Sequence, residues 1–257
     1  MMTNQDILRI ALRQSALEFG CQPEDFLKST PTVTLSRPHP EARVYLPLPL
    51  SCDIVSFGSC AVAMASKETM ADVAAYLQKF PTEHLFETPN LHVLDRLMVK
   101  HGLKVCFMAE YFLPDVTVLK PLTCKYDMRL LTPAEFAPYY TEEWSNALTP
   151  HRKERDVLAF GAFDGENLIG LAGCSADCDT MYQLGIDVLP EYRRQGIASA
   201  LTSALALEVL RLGKVPFYCA AWSNIPSVRN AIRCGFRPAW AELTARDIGF
   251  VEKMNSP

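Results

Sequence analysis

The sequence predicts an α/β protein in which a smaller N-terminal α/β domain, residues 1–122, precedes a second domain, residues 123–257, with a mixed α+β sheet. Three observations lead to this prediction. Strand and helix patterns alternate in both halves of the 257 residues. Proline and a loss of periodicity near residues 121–124 mark a boundary. Hydrophobic residues make up 49% and charged residues 21%, fractions typical of a folded globular chain.

Charge and hydropathy exclude several classes of protein. The formal net charge is −4, and non-specific nucleic-acid binding needs a dominant basic surface instead. No apolar run approaches the roughly 20 residues of a membrane span. The first residues carry neither a basic stretch nor an apolar core, so no signal peptide is expected. We therefore expect a cytoplasmic protein that binds neither nucleic acid nor membrane, of an oligomeric state that the sequence does not indicate.

Cysteine and histidine do not form a metal-binding pattern. The nine cysteines include no C-x-x-C pair, and the five histidines are scattered. An odd number of cysteines in a chain of this length does not suggest a disulfide framework. We expect reduced, mostly buried thiols and no metal site.

The N-terminal half is predicted to contain helices and strands but no motif that carries chemistry. Apolar residues at helical spacing predict a helix over 5–19, which Gly20 ends. Five prolines from Pro31 to Pro49 predict an extended loop with little regular structure. The elements predicted beyond it are strands at 54–57 and 61–64, helices at 66–80 and 88–102, and a strand at 104–112.

The C-terminal half shows a regular alternation of elements. The predicted strands lie at 126–130, 157–163, 168–174, 181–188 and 215–221. The predicted helices lie at 133–144, 197–212 and 226–234.

The segment from Gly185 to Ser199 combines a strand, a short basic loop and a helix that has no capping side chain. The helix start leaves several backbone N–H groups without partners. Gly196 and Ala198 are small, so a ligand can approach that backbone closely. An anion there meets N–H donors, the helix dipole and the charges of Arg193 and Arg194. We predict a pyrophosphate-binding loop; the alternative is that the two arginines are ordinary solvated charges on a turn.

This loop resembles the Q/R-x-x-G-x-G/A loop of the GNAT superfamily of acetyl-CoA-dependent N-acetyltransferases. Arg193 matches the first position, Gly196 the first glycine and Ala198 the final small residue. The order of a strand ending in Val-x-Pro, the loop, a long helix, a strand and a helix closed by Gly-Phe also matches. The resemblance covers about residues 124–243 and is greatest to a bacterial subgroup with an extra N-terminal domain and a Trp-Ser-Asn segment, here residues 222–224.

The resemblance implies a GNAT-like fold, acetyl-CoA as cosubstrate and an amine of a small molecule or peptide as acceptor. Backbone groups of Ile186 and Val188 would bind the pantetheine arm, and the Val188 N–H would stabilise the oxyanion. Asn224 would flank the end of the arm. The residues implied at the diphosphate are Arg193, Arg194, Gln195, Gly196, Ile197, Ala198 and Ser199.

The family's usual proton donor is missing from this sequence. Many members carry a tyrosine seven residues after the asparagine, and Ala231 stands there. Our first candidate for the acid is Tyr182, near the start of the strand that borders the pantetheine. Weaker candidates on neighbouring elements are Asp177, Asp179, Tyr218 and Cys234, and on the acceptor side Tyr139, Tyr140, Glu142, Glu143 and Asn146.

Because Ala231 cannot donate a proton, two functions other than acetyl transfer are alternatives. The domain could be a non-catalytic acyl-CoA-binding module. Alternatively, the N-terminal domain could bind a partner protein while the C-terminal domain serves as a scaffold. The sequence does not identify the acceptor, because fold alone does not determine function.

Overall fold

A computed structural model describes residues 2–256 of the chain, which divide into two compact units. Among the described residues, the C-terminal unit consists of residues 2–11 with Phe112–Pro238, and the N-terminal unit of Leu12–Tyr111 with residues 239–256. The units interleave along the chain, in contrast to the two consecutive domains predicted from the sequence. The predicted α/β class with mixed sheets is confirmed.

The strands of the N-terminal unit form a mixed sheet. They are β1 (Thr32–Leu35), β2 (Cys52–Ser56), β3 (Ala61–Ala65), β4 (Leu103–Pro114) and β10 (Phe236–Asp247). The spatial order is β1-β3-β2-β10-β4, with β1 parallel to β3 and β2 antiparallel to both β3 and β10. The helices of this unit are α2 (Met70–Lys79), α3 (Thr88–Val99) and α7 (Ile248–Met254), together with the part of α1 (Asn4–Phe19) from Leu12 onwards.

Two regions of this unit differ from the sequence prediction. The Pro31–Pro49 stretch was expected to be irregular, but it contains β1, because Thr32, Val33 and Thr34 are β-branched and the strand pairs with β3. The residues after position 236 form β10 and α7, which were not predicted. Thr244 of β10 lies opposite Asp53 of β2, and this pairing brings the end of the chain into the N-terminal unit.

The C-terminal unit carries a second set of strands and helices. Its strands are β5 (Asp127–Leu131), β6 (Asp156–Asp164), β7 (Asn167–Ser175), β8 (Met181–Val188) and β9 (Val215–Ala221). Their order is β9-β8-β7-β6-β5; β8 and β9 are parallel and the other neighbours antiparallel. The helices are α4 (Pro133–Phe136), α5 (Ile197–Arg211) and α6 (Ile225–Arg233).

Most predicted elements of this unit are confirmed, but the helix expected over 133–144 is not continuous. It ends at Phe136, and short 3₁₀ turns follow at Ala137–Tyr139 and Glu142–Trp144. Pro138 explains the interruption, because a proline inside a helix lacks the N–H donor and clashes with the preceding turn. The residues after α4 therefore form an irregular segment instead of a helix face.

A buried cluster of charges lies in the core of the N-terminal unit. Asp53, Glu18, Glu242 and Arg43 are all less than 5% exposed. The Arg43 guanidinium donates from Nε to Glu18 Oε1 at 2.8 Å, and it lies 3.8 Å from Glu242 Oε2. Burial, followed by the charge of Glu242, raises the pKa of Asp53 well above its usual value, because three carboxylates share one guanidinium.

Replacing Asp53 by asparagine is expected to stabilise the protein at neutral and alkaline pH. The raised pKa means that folding favours the protonated carboxyl group. Its contribution is fully present below the unfolded pKa of roughly 3.9 and is lost as pH rises through the folded pKa. The amide stays neutral at every pH, so Asp53→Asn should gain about 1–4 kcal/mol at pH 8 and little at pH 4.

Thermal unfolding measured from pH 4 to pH 9 checks this expectation. Glu24→Gln is the control, because Glu24 is exposed in the same unit. Stability curves of wild type and Asp53→Asn that run parallel across this range would contradict a buried carboxyl that takes up a proton on folding.

Candidate active site

Strands β8 and β9 separate partway along their length. Their parallel pairing joins Met181–Leu184 to Val215–Tyr218, and β8 continues to Val188 beyond the last pair. The backbone of residues 185–188 therefore lies past the end of the pairing. We call the point after Leu184 the fork.

The backbone groups of Ile186 and Val188 point towards the open side of the fork. The Leu189 N–H donates to Ile169 O of β7 at 3.0 Å, so odd-numbered residues of β8 face β7. Donor and acceptor groups alternate sides along a strand. In agreement, the carbonyl of Thr180 accepts from Val215 on the β9 side. The predicted role of Ile186 and Val188 in binding stays a prediction.

The loop after β8 has an unusual backbone. Arg194 has a φ of 61° and Gly196 a φ of 82°, both in the left-handed region. Arg193 holds the loop to the strand, because its Nε donates to the carbonyl of Val188 at 3.0 Å. Left-handed residues within a tight turn can direct successive N–H groups towards one concave surface, which suits an anion.

The backbone N–H groups at the end of this loop and in the first turn of α5 donate no hydrogen bond to an acceptor within the described residues. The first helical bond runs from Ala200 N to Gly196 O at 3.0 Å. Within residues 2–256, none of the amides of residues 194–199 donates a hydrogen bond to the chain. Gly196 is the N-cap residue, and no side chain caps the helix, as the sequence predicts. Six adjacent N–H groups are therefore available to an external acceptor.

Two of the predicted loop residues have side chains that are engaged within the unit. Gln195 Oε1 accepts from the hydroxyl of Tyr126 at 2.9 Å. The Ser199 hydroxyl donates to Asn230 Oδ1 of α6 at 2.9 Å. Any contact of these two positions with an anion would come from their backbone amides.

The start of α6 has a structural explanation of its own. Asn224 is the N-cap of that helix, and its side-chain oxygen accepts from Ser227 N at 3.3 Å. Ala231, at the position where the resemblance implies a tyrosine, is fully buried. Trp222 is 48% exposed, although a core position is the more common place for tryptophan. The proposed role of Asn224 beside the pantetheine arm is not tested by these contacts.

Tyr182 lies in the paired part of β8, opposite Pro216 of β9 and two residues before the fork. Lys214 Nζ lies 6.0 Å from the centroid of its ring. Burial raises the pKa of the Tyr182 phenol, so the group is protonated at neutral pH and available as a proton donor.

The other candidate residues are divided between the core and the surface. Tyr218 is buried and its hydroxyl lies 2.8 Å from Ser227 Oγ; Cys234 is buried as well. Asp177 is buried 3.0 Å from Arg152 Nε, and Tyr140 donates to Asp156 at 3.0 Å. The exposed candidates are Asp179, Glu142, Glu143 and Asn146.

The sequence analysis missed one residue of this region, Asp187. Its carboxylate accepts hydrogen bonds from the segment around Asn146. Gly173 and Gly185 face that same segment, and glycines inside strands commonly mark a close backbone approach. In the sequence, these two strand glycines were the signal that another backbone segment approaches β7 and β8.

Residues 2–256 contain no group of three or more His, Cys, Asp or Glu side chains arranged to hold a metal ion. None of their helices has the length and apolar character needed to cross a membrane. All nine cysteines are present as thiols instead of disulfides.

Comparison with known proteins identifies the segment that contains this site. Residues 126–236 match the model of the acetyltransferase (GNAT) family. No curated protein matches the chain.

Solved structures with a detectable likeness have low sequence identity. A GCN5-related N-acetyltransferase from Kribbella flavida is 16% identical with a TM-score of 0.48, covering 61% of this chain and 64% of that one. A GCN5-related N-acetyltransferase-like protein from Streptococcus suis is 19% identical with a TM-score of 0.45, covering 60% and 68%. An aminoglycoside N-acetyltransferase, AAC(6')-Iy, in complex with CoA is 20% identical with a TM-score of 0.36, covering 47% and 93%. This chain thus spans about two thirds of the length of the two GCN5-related structures.

Proposed function

Residues 126–236 form a GNAT acetyltransferase domain, and from this premise we propose that the chain transfers an acetyl group from acetyl-CoA to an amine of a small molecule or peptide. The observation that carries the proposal is the row of six unused amides at residues 194–199. We assign the transferase role to residues 123–257 and leave the role of residues 1–122 open.

The diphosphate of acetyl-CoA would bind to the loop amides at the N-terminus of α5. These N–H groups and the helix dipole both favour negative charge. The charge distribution supports a polyphosphate ligand, because the stretch from Glu191 to Arg237 contains seven basic and two acidic residues in a chain of net charge −4. Arg193 and Arg194 are exposed beside the amides.

The pantetheine arm would lie along the open side of β8. The backbone groups of Ile186 and Val188 point that way and would pair with the amides of the arm, as an added strand does. This path leads the thioester towards the fork. Asn224, at the start of α6, would flank the end of the arm.

Acetyl transfer at the fork forms a C–N bond, breaks the C–S bond and moves two protons. A neutral amine attacks the acetyl carbonyl carbon, the Val188 N–H stabilises the oxyanion that forms, and the C–S bond then breaks. The nitrogen loses one proton to water, and the leaving thiolate takes up another, so the products are the amide and the CoA thiol. We propose Tyr182 as the donor of that proton, because it is the phenol nearest to the fork on β8 itself.

Reversing the charges of the loop tests the proposed cofactor site. Arg193→Glu with Arg194→Glu should weaken acetyl-CoA binding by about 2–4 kcal/mol, since two charge-assisted contacts to phosphate are lost and replaced by repulsion. Calorimetry measures the affinity. The matched control is Lys67→Glu with Lys100→Glu, which changes the net charge equally at exposed positions of the N-terminal unit. Equal affinities of the two double variants would remove the phosphate-binding role of the loop.

A non-catalytic acyl-CoA-binding module is the second candidate function. The observation that favours it is the buried Ala231, which supplies no proton donor from α6. Both candidates predict acetyl-CoA binding, and only the transferase predicts amine-dependent release of CoA. Turnover with a panel of amines therefore separates them.

We also propose a cytoplasmic location. Nine cysteines without a disulfide suit a reducing compartment, where acetyl-CoA would be the cosubstrate. No metal takes part in the proposed chemistry.

A further inference from the structure

A pair of glycines opens one face of the sheet beside the fork. Gly173 of β7 and Gly185 of β8 lie opposite each other in the strand register. A Cβ atom at Gly185 would lie 1.8 Å from the carbonyl oxygen of Asn146, and one at Gly173 would lie 2.1 Å from that of Ala147. No side chain fits at either position. The backbone of Asn146 and Ala147 therefore crosses directly over the two strands.

This crossing lies on the face of β8 opposite α5. Side chains alternate along a strand, and Ile186 and Val188 pack against the core that contains α5. Gly185 and Asp187 accordingly face the other way. Since Gly185 is the first residue beyond the last β8–β9 pair, the crossing lies at the fork.

The carboxylate of Asp187 holds the crossing segment in place. Oδ2 accepts from the backbone N–H groups of Asn146 and Ala147, both at 2.9 Å, and Oδ1 accepts from Asn146 Nδ2 at 2.6 Å. Three donors converge on a group that only accepts, which is the arrangement that an ionised carboxylate satisfies best.

Buried residues on both sides limit the movement of the segment. Trp144, Ala147 and Leu148 are buried in the core beneath α4, whereas Ser145 and Asn146 are exposed. The backbone N–H of Leu148 donates a hydrogen bond to the carbonyl oxygen of Trp144 at 2.9 Å. The crossing thus presents two polar residues at the fork from a fixed backbone.

We propose that Asp187 is a positioning residue that fixes the segment from Trp144 to Leu148 as one wall of the acceptor pocket. This inference rests on the proposed function, because the fork is the place where an amine would meet the thioester. The thioester approaches along the open edge of β8, and the segment covers the adjacent face of the same strand. A displacement of the wall would alter the placement of the acceptor without affecting the loop at residues 194–199.

Amide hydrogen exchange tests the clamp without requiring turnover. In Asp187→Asn, the two backbone N–H groups bond to a neutral amide oxygen instead of a carboxylate, and the Asn146 side chain must turn its oxygen towards the new NH₂, so the charge-assisted hydrogen bonds are weakened. We expect the amides of Asn146 and Ala147 to exchange at least about tenfold faster, as expected for local opening. The control is Glu166→Gln, which removes one negative charge from a side chain that is 92% exposed in the β6–β7 turn. Unchanged exchange of these two amides in Asp187→Asn would overturn the proposal.

Kinetics test whether the clamp serves the acceptor. In Asp187→Asn, the acceptor KM should rise about tenfold, with kcat within about threefold and the KM of acetyl-CoA unchanged, since the wall contributes to acceptor placement. An equal rise in the KM values of both substrates would overturn the positioning role. An unchanged acceptor KM would overturn it as well. A wild-type chain that acetylates no amine would contradict the proposed function instead, and hydrogen exchange would still decide whether Asp187 holds the segment.

A reciprocal exchange of the two side chains provides a rescue. In Asp187→Asn with Asn146→Asp, the amide oxygen at 187 accepts from the two backbone N–H groups, and its NH₂ donates to the new carboxylate at 146. We expect this double variant to regain slow exchange and most of the acceptor affinity. A double variant that is no better than Asp187→Asn alone would contradict the hydrogen-bond mechanism.

Discussion

Gly196→Val is expected to abolish acetyl-CoA binding. The residue is the N-cap of α5 and lies in the middle of the row of amides at 194–199. A β-branched side chain there would project above N–H groups that a diphosphate must approach to about 2.9 Å. Calorimetry should show an affinity at least about 100-fold lower, which corresponds to roughly 2.7 kcal/mol.

The stability of this variant requires a matched control. A Cβ at Gly196 meets no atom within 4 Å, but its φ of 82° is a strained conformation for valine. Gly213 follows the other end of α5, with a φ of 75° and equally open surroundings. Gly213→Val should therefore carry a similar backbone strain and bind acetyl-CoA normally. Equal affinities of the two variants would mean that the loop is an ordinary turn.

Tyr182→Phe is expected to lower turnover by about 10²–10⁴-fold with acetyl-CoA affinity nearly unchanged, as for the loss of a general acid. The substitution removes only the hydroxyl, so the packing of the ring should survive. Burial raises the pKa of the phenol above its usual value, so the hydroxyl carries its proton at neutral pH. Steady-state kinetics together with calorimetry separate the loss of chemistry from a loss of binding.

Wild-type turnover in Tyr182→Phe would exclude this phenol as the acid. That result would favour water or an acceptor-side group as the source of the proton. Tyr76→Phe is the control for the loss of a phenol hydroxyl outside the candidate site, since Tyr76 lies in α2 of the N-terminal unit.

The cofactor loop could be predicted from the sequence because its determinants are local. Met181–Val188 and Val215–Ala221 have the predicted bounds, since each is a short apolar run bounded by turn residues. The absence of a capping side chain at Gly196 is likewise visible in the sequence, and so is the start of α5 at Ile197. Local patterns of this kind need no knowledge of distant partners.

The features that depend on distant residues could not be predicted. The return of the chain into the N-terminal unit depends on the pairing of β10 with β2, which are separated by more than half of the sequence. The crossing of Asn146 over Gly185 depends on an irregular segment that the pattern predicts as part of a helix. Pro138 argues against a continuous helix at that place. The two strand glycines indicated a close backbone approach, but they did not indicate which segment approaches.

The most direct measurement is CoA release from acetyl-CoA by the wild-type chain in the presence of a broad panel of amines, with mass spectrometry of each product. We expect release that depends on the amine and an acetylated product that is 42 Da heavier than the acceptor, as acetyl transfer requires. Tight binding of acetyl-CoA with no acetylated amine in the panel would contradict a transferase and favour an acyl-CoA-binding module.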